Sequence, residues 1–222
     1  MHSSNPFKHV KRSIQLFTLS LSLFFFSSAQ AQKAPNDLMP YAIVGSIASL
    51  VFACYQGKTP CTLDPKMNSN GLVFSFDRGQ DNQLLQERVA IGMDWAEAIY
   101  EGKYWRLQGR WDLSFHHWHS ERSAVKNDSG YIIGLTPIFR YILKDDEITP
   151  YIEMGAGPHF LDSIYIEDEN KSTQLQFGDH LGIGFIAGRV EVGYRYIHIS
   201  NANIELPNPG TDFHNLHFAY RF

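Results

Sequence analysis

From Gly71 to the C-terminus, apolar and polar residues alternate with a period of two, in segments of about ten residues set apart by turn residues or charged loops. The alternation predicts strands at 71–79, 87–100, 103–119, 130–143, 149–161, 173–187, 190–200 and 212–222. An even number of strands, with short turns alternating with longer polar loops, predicts an all-β fold, an eight-stranded antiparallel transmembrane β-barrel of the bacterial outer membrane. Ala187-Gly188-Arg189 and Lys144-Asp145-Asp146-Glu147 read as periplasmic turns, whereas 119–129, 162–173 and 201–211 read as extracellular loops. With both chain ends in the periplasm, the seventh strand finishes at the outer leaflet.

The last strand says which residues meet lipid. Leu216, Phe218, Tyr220 and Phe222 share one face, and His217, Ala219 and Arg221 share the other. A soluble lipocalin-like barrel would reverse that pattern and bury its apolar face. Arg140, Glu153 and Arg195 argue against it, because each alternates with aromatic or aliphatic neighbours and so points into the lumen. Inside, Asp94, Glu153 and Arg195 are expected to find charged partners, since a buried charge needs one.

The N-terminus follows other rules. Lys8, Lys11 and Arg12 precede an apolar stretch from Ile14 to Phe26, and Ala29-Gln30-Ala31 supplies the small residues of a cleavage site. Residues 1–31 therefore read as a signal peptide, which leaves a mature chain of 191 residues. Removing its three basic residues leaves 16 basic against 23 acidic side chains, a net charge of −7. That balance excludes nucleic acid as a partner, for which a basic face is needed.

Residues 32–70 form an N-terminal extension without an assigned role. Within it Tyr41 to Cys54 is almost wholly apolar, yet shorter than the roughly 20 residues a spanning helix requires. Leu50 to Cys54 is a poor lipoprotein box, too far from the N-terminus. The expectation is a periplasmic plug or an extension, held by a Cys54–Cys61 disulfide that suits an exported chain; two free thiols are the alternative.

The stretch from Tyr194 to Asp212 holds the candidate chemistry. His198 and Ser200 are two apart on a strand, so both project from one face. A hydroxyl is a weak nucleophile at neutral pH and needs an adjacent base. Imidazole is the usual base, commonly oriented by a carboxylate. By parity His198 and Ser200 share the face of Tyr194 and Tyr196, and Asp212 shares the face of Phe222. All three thus reach the outer surface at the extracellular rim. A His-x-Ser pair by itself also reads as two interfacial polar residues. Elsewhere, His117 and His119 share a strand face while His116 does not, and no carboxylate or cysteine completes a metal set by spacing. No metal or other cofactor is expected. His180 and His214 lie near the candidate site without an assigned role.

The stretch resembles the signature of the lipid A 3-O-deacylase (PagL) family, outer-membrane esterases with a His-x-Ser-Asn core. Phe177-Gly178-Asp179-His180-Leu181-Gly182-Ile183-Gly184, Thr136-Pro137-Ile138-Phe139-Arg140-Tyr141 and Pro150-Tyr151-Ile152-Glu153 with Gly155-Ala156-Gly157 are also similar to it. The resemblance spans about 71–222, the barrel, and excludes 32–70. It implies a carboxylic ester hydrolase that acts on lipid A, or lipopolysaccharide, in the outer leaflet and removes the 3-hydroxyacyl chain at the 3-position. His198 would be the base, Ser200 the nucleophile, and Asn201 a required neighbour that holds the oxyanion together with Asn208 or the backbone amides of the loop. Where the founding enzymes carry Glu, this chain has Asp212, one methylene shorter, so Glu205 stays open as the acidic member. A non-enzymatic barrel (adhesin or anchor) and a phospholipase or acyltransferase on the same scaffold are the alternatives. A homodimer is compatible with the sequence, which does not fix the oligomeric state.

Overall fold

The computed structural model describes residues 38–62, 67–144 and 147–222. The expected signal peptide and its cleavage site lie outside them, as does the centre of the turn at 145–146. Among the described residues, eight long strands follow one helix: α1 (Met39–Tyr55), β1 (Met67–Asp81), β2 (Leu84–Trp95), β3 (Trp105–Ser120), β4 (Ser129–Leu143), β5 (Thr149–Leu161), β6 (Leu175–Ala187), β7 (Val190–Ser200) and β8 (Thr211–Arg221). Each pairs antiparallel with the next, and β1 pairs with β8 from Val73–Arg221 to Gln80–His214, so the sheet closes. Closure leaves no free edge among these strands, the condition under which strands can cross hydrocarbon.

All four boundaries of the first two strands differ from the sequence expectation. The first hairpin is tight: β1 runs to Asp81 and β2 starts at Leu84, because Asn82 takes a positive φ of 53°, a conformation asparagine tolerates. Leu84 and Gln86, expected in a loop, continue the inward-facing series of β2. At its other end β2 stops at Trp95 rather than 100, and Tyr100–Glu101 turns back to pair with Leu107 and Arg106. The barrel also begins at Met67, four residues before Gly71.

Parity divides every strand as expected. Ile91, Leu113, Ile133, Ile183, Val192, Leu216 and Phe218 are exposed on the outer wall, the apolar band of a barrel that sits in lipid. Inward residues form three layers. Leu84, Trp118, Ile132, Leu161, Ile197 and Phe213 pack an apolar cluster under the extracellular mouth. Below it, Gln86 bonds Asn215 and His116. Towards the periplasm lies a buried charge network. Arg88 joins Asp77 and Asp112 at 2.6 and 2.7 Å; Arg195 joins Asp77 and Glu153; Arg140 joins Glu153 and Glu191; Arg110 joins Glu191 and Asp94; Arg221 joins Asp94. The expected charged partners are thus found inside the barrel for all three residues, Arg195 with Glu153 and Asp94 with Arg110 and Arg221. An isolated buried ion would cost several kcal/mol, and this shared lattice offsets that cost by giving each guanidinium two carboxylates, Glu191 being the second at Arg221.

The helix is not a plug. Its buried side chains, Ala42, Ser46, Ser49 and Ala53, recur every three or four residues on one stripe. They face Trp95, Leu107, Phe139 and Met154, all outward by parity, so α1 lies against the outside of the wall. The lumen at that level is already filled by the arginine network. Cys54 and Cys61 are disulfide-bonded, which rules out Cys54 as a lipid-bearing residue.

Arg195→Met is expected to lower the thermal unfolding transition of the detergent-solubilised barrel markedly, a loss of about 3–5 kcal/mol, because Asp77 and Glu153 each keep a charge while losing a partner. Arg78→Met, on an exposed side chain 3.9 Å from Glu87, is the comparison and should shift the transition little. Heat-dependent gel mobility measures both.

Candidate active site

Strands β7 and β8 bring His198 directly opposite Asp212 in register. Directly opposed side chains have Cβ atoms about 5 Å apart, so the shorter aspartate reaches without the extra methylene of glutamate. His198 Nδ1 lies 2.6 Å from Asp212 Oδ1. The Tyr196 hydroxyl donates to the same oxygen at 2.7 Å. With a carboxylate as acceptor, Nδ1 carries the hydrogen and Nε2 keeps its lone pair. The Asp212 side chain is 29% exposed and that of His198 only 10%.

Ser200 ends β7 two residues beyond His198, on the same outward face and mostly buried. Behind the strand, Ile197 and Ile199 belong to the apolar layer inside the mouth. The pair of polar side chains therefore stands on a stiff strand with packed hydrocarbon at its back. Gly210 completes the close fit, because a Cβ there would come within 2.2 Å of His198 Cε1.

The loop 201–210 is tied down from several sides. Asn201 is fully buried; its backbone N–H donates to Asn208 Oδ1 at 2.8 Å, and its side-chain amide donates to the carbonyls of Glu205 and Lys171. Both hydrogens of the Asn201 side-chain amide are thereby engaged within the loops. Asn208 Nδ2 donates one hydrogen to Asn203 Oδ1 and has a second to give. Glu205 is exposed and contributes its backbone carbonyl to Asn201; the carboxylate at His198 is Asp212.

Two further residues, Lys171 and Asp179, stand near the site. Lys171, in the β5–β6 loop, is fully buried, and its ammonium donates to Glu169 Oε2 and to the carbonyls of Pro209 and Gly210. Burial pulls its pKa below the ordinary lysine range, against the opposing pull of Glu169. It fastens the loop that carries Gly210 to the neighbouring loop, helped by Ser172 Oγ on the Pro207 carbonyl. Asp179 sits on β6 directly opposite His198 on the side away from Asp212, nearly buried and outward by parity. Its position could have been read from the same alternation, since an acidic residue on a lipid-side register is itself a flag. His214 bonds the Tyr194 hydroxyl at 2.6 Å on the exposed wall, and His180 faces the lumen.

Among the described residues one group could hold a metal ion. Glu87 lies opposite His117 across β2 and β3, and its carboxylate with His117 and His119 places three ligand atoms within 4.8 Å of one another. Spacing along the chain missed Glu87 because it is supplied by the next strand. His116 points into the lumen, as parity required. This group is on the far side of β1 from Asp212 and shares no side chain with the His198 site.

Comparison with known proteins agrees with the site and the fold. The family model of the lipid A 3-O-deacylase (PagL) matches residues 84–221. A lipid A deacylase PagL of Pseudomonas aeruginosa is 26% identical over 82% of this chain and 97% of its own length. A lipid A deacylase PagL of Bordetella bronchiseptica is 28% identical over 79% of this chain and 93% of its own. The crystal structure of the outer membrane enzyme PagL superposes with a TM-score of 0.61 at 27% identity, covering 68% of this chain and 99% of that one. A match over most of the barrel, including every strand that bears a candidate residue, leaves one assignment: the chain belongs to the lipid A 3-O-deacylase (PagL) family.

Proposed function

We propose that the protein is an outer-membrane serine esterase that hydrolyses the ester-linked 3-hydroxyacyl chain at the 3-position of lipid A. The observation that carries this reading is the 2.6 Å His198–Asp212 contact on the lipid-facing wall, with Ser200 next along the same face. A substrate anchored in the outer leaflet presents its ester at the height where β7 ends. A polar dyad on that wall would otherwise be a cost with no return.

In this mechanism Ser200 Oγ attacks the acyl carbonyl while His198 Nε2 takes its proton. Asp212 holds the ring by Nδ1–H and stabilises the imidazolium as it forms. His198 then gives the proton to the departing sugar oxygen, and water, activated by the same imidazole, releases the acyl group from Ser200. In this reading the remaining hydrogen of Asn208 and the backbone amides of the loop serve the developing oxyanion, where one well-aimed donor is worth about 3–4 kcal/mol. Asn201 and Lys171 act on the reaction through the loop they fix.

Release of 3-hydroxy fatty acid from lipid A in detergent should separate these roles. Ser200→Ala and His198→Ala should each remove nearly all activity, about 10⁴-fold or more, and the double variant should be no worse, because nucleophile and base work as a unit. Asp212→Asn should lower kcat by roughly 10²–10⁴-fold by presenting the wrong partner to Nδ1, whereas Glu205→Gln should leave it unchanged. Full activity in Ser200→Ala would end the serine-esterase reading, and equal turnover of phospholipid would move the protein to another class of lipid esterase. Gly210→Ala should keep the heat-modifiable fold yet cut kcat about 10²-fold by displacing the His198 ring; wild-type kcat in that variant would show that the ring's position is not constrained by the loop.

A further inference from the structure

The helix α1 lies outside the residues that match the family model. It carries no Asp, Glu, Lys or Arg along its 17 residues. The barrel-facing stripe is built from small side chains, and this brings the two backbones close. A Cβ on Gly45 would fall 2.0 Å from Met154 Sδ. Ser46 and Ser49 return their hydroxyls to the carbonyls of Ala42 and Gly45, and Ser49 also bonds the Tyr141 hydroxyl at 2.8 Å. Small residues packed on a neighbour, with serines satisfied internally or across the seam, are what association inside a membrane favours.

The opposite face is apolar and bare. Tyr41, Val44, Val51 and Tyr55 are 69%, 56%, 44% and 79% exposed. The helix touches β4, β5 and β6 and closes over Trp95 at the end of β2, so it crosses the strands instead of following one. Its length of about 25 Å matches the width of five strands spaced about 4.8 Å apart. No described helix is long and apolar enough to cross a membrane. At its C-terminal end the Cys54–Cys61 disulfide closes the following turn, and Lys58 pairs with Glu97 of the β2–β3 loop. That loop lies at the periplasmic end of the barrel, which sets the height of the helix.

We propose that α1 is an in-plane membrane helix of the periplasmic leaflet, clamped to the barrel wall by its small-residue stripe and covered on its outer face by phospholipid acyl chains. The occupant follows from continuity. Ile152, Ile183 and Phe185 on the wall beside the helix are as exposed and as apolar as Val44 and Val51, and form one surface with the lipid-facing band. Water would meet an uncharged face of four large side chains, which an amphipathic surface helix avoids by carrying basic residues. The helix thereby widens the inner-leaflet footprint of the barrel on the side of β4 to β6, leaving β7 and β8, with the His198 site, open to the outer leaflet.

Spin labelling tests this in the full mature chain. The native cysteines are paired with each other, so a nitroxide can be placed singly at Val44→Cys or Val51→Cys in phosphatidylethanolamine–phosphatidylglycerol vesicles. Ile91→Cys on the bare wall supplies the lipid standard and Glu121→Cys in an extracellular loop supplies the water standard. Collision with oxygen and with a water-soluble nickel chelate is then compared. The expected result is high oxygen and low nickel accessibility at both helix sites, matching Ile91. Nickel accessibility at the level of Glu121 would overturn the proposal by placing the face in water. Dipolar broadening that vanishes on dilution with unlabelled protein would also overturn it, by showing that a second copy covers the face.

Discussion

A chain that crosses hydrocarbon cannot leave backbone N–H and C=O groups unpaired, and here the β1–β8 ladder joins the two strands that would otherwise be edges. Once the sheet closes, strict alternation assigns each side chain to the wall or to the lumen, and a barrel of eight strands has an interior only wide enough for side chains. That interior must be filled without stranding a charge. The chain does so with an apolar layer under the mouth and a lattice of arginines shared among carboxylates below it. The same geometry sends His198, Ser200 and Asp212 outward.

The position of the site is thus a consequence of the wall. A soluble esterase collects its residues in a cleft between elements; here the candidate residues stand on the wall itself, and the substrate is already part of the surrounding leaflet. What takes the place of a cleft is rigidity from behind and above. Ile197, Ile199 and Phe213 stiffen the two strands that bear the candidate residues from the lumen side. Lys171 and Asn201 hold the 201–210 loop so that Gly210 rests against the imidazole. The mobile partner in such a reaction is the lipid, which diffuses laterally to a preformed rim.

Much of this could be read from the chain because strand alternation is local. The eight strands, the outward face of β7 and β8 and the lumen placement of Arg140, Glu153 and Arg195 all follow from counting by twos. The contact between His198 and Asp212 needed only one further fact, the length of the intervening loop. What escaped was what neighbouring strands supply across the ladder. Glu87 opposite His117 and Asp179 opposite His198 depend on register between strands, which is set by closure and not by either segment alone. Lys171 escaped because nothing in a polar loop announces that one of its lysines will be buried. Plug and extension stayed open for the apolar N-terminal segment because hydrophobicity signals burial without saying what does the burying; the small-residue stripe at Ala42, Gly45, Ser46 and Ser49 is the clue to its outer seat.

The central claim is that a serine on the lipid-facing wall is acylated in the course of hydrolysis. Treating the folded protein with an acyl-chain phosphonate ester, a probe that phosphonylates activated serines, and mapping the adduct by peptide mass spectrometry tests it most directly. The account predicts stoichiometric modification at Ser200 with parallel loss of deacylation, and no modification in His198→Ala, where the base is gone. Modification at a different residue, or complete inactivation with Ser200 unmodified, would contradict it.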